Sequence, residues 1–333
     1  MLCGSLLLFA AAGPVVAAET AAGDSAVNGG SATTGAAFAD PQSWAPPAHA
    51  TPGAVPVPAG VRVVRGYADT PLGQVHYQDV GDGPASASPA IVLLHQVPWF
   101  HVYYNRVQAE LAARGYRSIA IDTPGYGLSA RLNQEPAIAD YAAAIDAVMG
   151  HLRLRRAAVA GHHTGSSIGV ELARTYPQRV QCLMLHGVPL YTEAEARTRL
   201  EAPHWDQRYR TDGSHLADRW AYLGGRIAGS PDSVQWSTLS MWISGETEWY
   251  GHHAVFKYDM QSALAALRVP VVVFNNDLDL LGYTVERVRA LRPDFAIRQL
   301  ESRSSNMPFD EPAAWSDAVV EALGSCSKQT VRR

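Results

Sequence analysis

Between residues 90 and 95 the chain reads AIVLLH, an apolar run with no polar position before its closing histidine. A strand solvated on one face alternates apolar and polar residues, so an unbroken run predicts a strand buried on both faces, as in a parallel sheet. Comparable short runs recur at 116–122 (YRSIAID), 157–161 (AAVAG), 180–187 (VQCLMLHG), 270–277 (PVVVFNND) and 295–301 (FAIRQLE). Between them lie segments with helical spacing of apolar residues: VYYNRVQAELAARG, YAAAIDAVMGHL, SSIGVELARTYP and VERVRALRP, with AAWSDAVVEAL closing the series. Such spacing gathers the apolar side chains on one stripe of a helix. At the front, VRVVRGYA and QVHYQDVG flank the turn sequence TPLG and predict an antiparallel pair. Strand and helix in alternation predict an α/β fold, a mostly parallel eight-stranded sheet with helices on both faces.

The alternation stops near Pro189. Residues 190–262 are helical in character, show no strand pattern and carry five of the eight tryptophans. They are expected to form a helical cap inserted into a core made of residues 61–189 and 263–325. An insertion at that point overhangs the crevice where such sheets bind ligands. Residues 1–18 end in Val16-Ala17-Ala18 and read as a secretory signal, although no Lys or Arg precedes the apolar stretch. Residues 19–60, rich in Ala, Gly, Ser, Thr and Pro, read as a disordered leader that buries little. A periplasmic or secreted protein with no stable membrane span is the expectation. A net charge of -4 with 17% charged residues and no basic block argues against a nucleic-acid partner. Cys182 reads as a buried free thiol and Cys326 as a tail thiol, with a disulfide between them as the alternative.

Candidate chemistry gathers at Gly161-His162-His163-Thr164-Gly165, set between a strand pattern and a helix pattern. That setting suits G-x-S-x-G, a nucleophile held on a sharp strand-to-helix turn, yet the middle residue is histidine. Other segments fall in order around it. His95-Gln96-Val97-Pro98 follows the third strand, and Asp122-Thr-Pro-Gly-Tyr-Gly-Leu-Ser129 the fourth. Asp279 lies nine residues past Pro270, and Asn306-Met-Pro precedes the last helix. Over about residues 61–324 the chain resembles the α/β-hydrolase superfamily, in its cap-bearing branch of haloalkane dehalogenases, epoxide hydrolases, carbon–carbon bond hydrolases and esterases. The resemblance implies a nucleophile at position 163, an acid at Asp279 and a base at position 306. Two of the three positions depart from it, holding His163 and Asn306. No histidine follows His253, so the closing loop supplies no imidazole.

The resemblance also implies an oxyanion hole from the amides of Val97 and Thr164, with Gln96 standing where glycine is usual. For His163 three readings stay open: nucleophile, general base, or an inert ring in a binding pocket. An ordinary imidazole, with a pKa near ~6.5, is largely neutral at pH 7 and can attack or take a proton unaided. Asp279 would orient it, Asn306 would position water or substrate, and Asp277 is the fallback acid if the register is off by two. His186 is close enough to the crevice to stand in as base, whereas His95 and His162 read as packing residues. His252 and His253, where the cap rejoins the core, read as helix caps. Epoxide hydrolysis and dehalogenation need a carboxylate at position 163 and are set aside. The expected function is hydrolysis of a small apolar ester, lactone or related carbonyl compound, with no cofactor and no metal. The alternatives are a pseudo-hydrolase that binds a small ligand, and a lyase or isomerase using His163 for proton transfer.

Overall fold

The computed structural model describes residues 57–82 and 89–331, with side chains to residue 327. The expected signal at 1–18 and nearly all of the leader at 19–60 lie outside the described residues. An antiparallel hairpin, β1 (Val63–Thr70) and β2 (Gly73–Val80), turns at Pro71-Leu72, as the TPLG turn sequence predicts. Then come β3 (Ile91–Leu94), α1 (Asn105–Ala113), β4 (Ser118–Ile121), α2 (Ile138–His151), β5 (Ala157–His162), α3 (Thr164–Thr175) and β6 (Val180–His186). Helices α4 (Glu193–Leu200), α5 (Ser214–Gly224), α6 (Pro231–Ser244), α7 (Tyr250–Lys257) and α8 (Met260–Ala266) precede β7 (Val271–Asn275). The chain ends with α9 (Val285–Leu291), β8 (Ala296–Gln299), the short α10 (Met307–Asp310) and α11 (Pro312–Val331).

All eight strands form one sheet in the order β1-β2-β4-β3-β5-β6-β7-β8, in which only β2 runs against the rest. The unbroken apolar runs explain the layers. In β3, Val92 and Leu94 face the layer of α2, α3 and α8, while Ile91 and Leu93 face that of α1 and α11. Burying both faces demands apolar residues at odd and even positions alike.

The cap is helical as expected, but its last part is not a detached lid. Ala254 and Val255 of α7 and Met260, Ala263 and Leu264 of α8 join the core cluster that contains Ile168 and Val170. The overhanging part is therefore α4 to α6. Tyr126 fastens α7 to the loop after β4, donating to the Glu248 carbonyl and accepting from the Gly251 amide, both at 2.7 Å.

The cysteine expectation is corrected. Cys182 and Cys326 form a disulfide with an S–S distance of 2.03 Å. The apolar pattern AAWSDAVVEAL ends at Leu323, which places Cys326 in a tail. Instead α11 runs on to Val331, and Cys326 lies on the same buried face as Ala318, Val319 and Ala322, over β6.

Candidate active site

β5 ends in Gly161 and His162, and α3 begins at Thr164, so the chain reverses at residue 163 alone. His163 takes φ 47° and ψ -109°, a left-handed conformation that costs a side-chain-bearing residue about 1–3 kcal/mol. The turn is held by its glycines. A Cβ at Gly161 would lie 2.2 Å from the Gly165 carbonyl oxygen, and one at Gly165 only 2.0 Å from that of Leu94. Thus helix and strand approach more closely than any side chain allows, and the sharp bend pushes residue 163 outward.

The imidazole of His163 reaches across to the loop after β7. Its Nε2 lies 2.9 Å from Oδ1 and 3.1 Å from Oδ2 of Asp279. Gly187, at φ 59°, makes the crossing possible: a Cβ there would stand 2.3 Å from the His163 ring and 2.8 Å from Asp279 Oδ1. His163 keeps 15% of its side chain accessible, while Asp279 is fully enclosed. With Nε2 on the acid and the Cδ2 edge on Gly187, Nδ1 lies on the ring edge away from both.

Asp279 carries a second imidazole. His162 Nε2 lies 2.9 Å from Oδ2, and its Nδ1 is 2.8 Å from the Tyr103 hydroxyl. Burial keeps the Tyr103 phenol protonated, so it donates to Nδ1; His162 then donates from Nε2 to the carboxylate. Burial, reinforced by His163, also holds the His162 pKa well below its ordinary value, so the ring is neutral. For Asp279, burial alone would raise the pKa; the touching His163 and His162 rings outweigh it and keep the carboxylate ionised. The Leu281 amide, 2.7 Å from Oδ1, adds a further donor.

The other expected site residues fall into two groups. Asn306 does not meet His163 or Asp279: its Oδ1 accepts from Gln96 Nε2 at 2.7 Å, and its buried Nδ2 has no partner among the described residues. Gln96 thus fills with a side chain the place where glycine is usual and is tied to the closing loop. The amides of Val97 and Thr164 have no acceptor among the described residues, as an open oxyanion hole requires. Asp277, the fallback acid, is exposed and accepts from Gln299 at 2.7 Å, so the register favours Asp279. His186 is buried with Nε2 3.8 Å from Asp279 Oδ2 and Nδ1 accepting from Trp315. Burial lowers its pKa to about 4, which makes it a neutral neighbour and not a free base. His252 and His253 sit 3.9 Å from Glu248 and 3.7 Å from Glu135 and touch neither His163 nor Asp279.

Sequence reasoning missed three members. His162, read as packing, is the second imidazole on the acid; Tyr103 orients it, stacked 5.6 Å away; Gly187 leaves room for His163. Adjacency to His163 was the one available signal for His162.

A strained elbow before the central helix, with an acid supplied after β7, defines the class of α/β-fold hydrolases. The chain belongs to the α/β-hydrolase superfamily: residues 89–248 match the α/β-hydrolase-fold family. A haloalkane dehalogenase of Mycobacterium marinum is 34% identical over 122 residues, 35% of this chain and 39% of that protein. A 2-hydroxy-6-oxononadienedioate/2-hydroxy-6-oxononatrienedioate hydrolase of Burkholderia vietnamiensis is 36% identical over 120 residues, 34% of this chain and 40% of that protein. The chain thus spans well under half the length of these curated relatives. Among solved structures, the enol-lactonase of Burkholderia xenovorans superposes with a TM-score of 0.60 at 20% identity, covering 78% of this chain and all of the other. No helix among the described residues is long and apolar enough to cross a membrane.

Proposed function

We propose that this chain is an exported hydrolase of a small, mainly apolar ester or lactone, with His163 as general base and Asp279 as its partner. The observation that carries this reading is the 2.9 Å contact between His163 Nε2 and Asp279 at a strained, partly open elbow. With the Nε2 proton on the carboxylate, the Nδ1 lone pair is free to take a proton from water. Water oxygen then bonds to the substrate carbonyl carbon, and the carbonyl oxygen becomes an oxyanion facing the Val97 and Thr164 amides. Asp279 stabilises the imidazolium that forms. On collapse the carbon–oxygen ester bond breaks, and the alcohol leaves with the proton from Nδ1.

The aromatic cap supports an apolar substrate, and the fold likeness to an enol-lactonase supports the carbonyl class. The likeness to a dehalogenase is not followed, because residue 163 offers no carboxylate. The Cys182–Cys326 disulfide supports export, since such bonds persist in oxidising compartments. A panel of short-chain nitrophenyl esters and lactones, with wild type and His163→Ala, tests the proposal. Turnover lost in the variant supports it; turnover unchanged in His163→Ala removes His163 from the chemistry. No turnover in either, with ligand binding retained, would instead mark a pseudo-hydrolase.

A further inference from the structure

We infer that His162 Nε2, His163 Nε2 and the Asp279 carboxylate together form a binding site for one late first-row divalent metal ion of the Zn²⁺ type. Three side chains from two distant stretches of sequence bring these ligand atoms within 4.8 Å of one another. Two donors each about 2.1 Å from an ion and separated by 90–109° lie about 3.0–3.4 Å apart. The observed Nε2-to-carboxylate distances of 2.9, 2.9 and 3.1 Å are thus close to the edges of a coordination polyhedron. Two imidazoles and one carboxylate suit Zn²⁺, Co²⁺ or Fe²⁺ and are a poor set for Ca²⁺ or Mg²⁺, which prefer oxygen.

Charge points the same way. Among the described residues, the ion-pair partners of the buried Asp279 carboxylate are the imidazoles of His162, His163 and His186. A metal ion there would compensate the charge of the buried carboxylate. Outer contacts are also in place. With Nε2 on the ion the His162 proton moves to Nδ1, where the Tyr103 oxygen, turned to accept it, would orient the ring as the partner of a ligating imidazole does, and the 15% exposure of His163 leaves an approach. Sequence spacing could not reveal this set, because 116 residues separate His163 from Asp279.

Ligation takes the Nε2 lone pair of His163 and moves its proton to Nδ1, so the loaded chain lacks the base used in the proposed hydrolysis. The inference shares that imidazole but does not depend on the hydrolytic reading. The test is a Co²⁺ titration of chelator-treated protein, followed by its visible absorption, with competition by Zn²⁺. One equivalent should bind, Zn²⁺ should displace it, and Mg²⁺ should not. His162→Gln and His163→Gln should each weaken binding by about 100-fold or more, and Tyr103→Phe by about 10-fold, with folding checked by circular dichroism. His163 is the more open ligand, so His163→Gln gives a readable result even if His162→Gln does not fold. His101→Gln, outside the site, should leave binding unchanged. Absence of stoichiometric binding, or binding indifferent to His163→Gln, overturns the inference. Ester turnover of the chelator-treated protein is measured in parallel and tests the hydrolytic reading by itself.

Discussion

Two clusters in this molecule have the same composition, two histidines and one aspartate, and opposite settings. Around Asp122, His76 and His101 contact the carboxylate through Nδ1 at 2.9 and 3.0 Å, and all three side chains are buried. Both Asp122 oxygens also accept main-chain amides, from His101 and from Leu128. That cluster staples β2, the loop after β3 and the loop after β4. Around Asp279, by contrast, one imidazole stands on a strained backbone with an edge open to solvent. Residue types alone do not make a site: residual exposure on a strained turn sets the Asp279 cluster apart.

The largest expected effect separates the two clusters by activity. His163→Ala should lower ester turnover by about 10³-fold or more, equivalent to about 4 kcal/mol of barrier. His101→Gln should change turnover far less while lowering stability, and the reverse ranking would break the comparison. Next, Asp122→Ala should cost about 3–5 kcal/mol in a denaturant titration, because two buried imidazoles, one buried amide and one part-buried amide lose their acceptor.

A pH effect of similar or smaller size should come from His95, beside the Asp122 loop. Its Nδ1 donates to the Gln96 carbonyl and its Nε2 accepts from the Thr123 amide, so the folded state holds it neutral. Burial lowers its pKa to about 4. The unfolded chain therefore binds this proton at a higher pH than the folded one. Stability is full above about pH 6.5 and falls by up to about 3 kcal/mol as pH drops toward 4. His95→Gln should flatten that slope in unfolding curves collected between these pH values. Last, Gly187→Ala should reduce turnover by about 10- to 100-fold with a smaller loss of stability, since its Cβ would displace the His163 ring. Full activity in that variant would show that the ring does not need its present position.

The fold was legible because each central strand is buried on both faces and announces itself as an apolar run without alternation. Ile91–Leu94 and Val271–Asn275 are clear examples. The elbow was legible from Gly161 and Gly165, whose missing side chains the close approach of α3 requires. What could not be read was connection at a distance. Nothing local tells that Gln96 bonds to Asn306, 210 residues on, or that Cys326 still lies on a helix. His162 reads as packing because a buried residue closing a strand gives no local sign of which acid it meets.

The Cys182–Cys326 bond has a mechanical consequence. It ties the last helix to β6, the strand that delivers His186 and Gly187 beside the acid. Tension applied at the C-terminus would pass at Cys326 into that central strand and bypass the preceding turns of α11, so a tether there would tug on the neighbourhood of the imidazoles before it unravelled the cap.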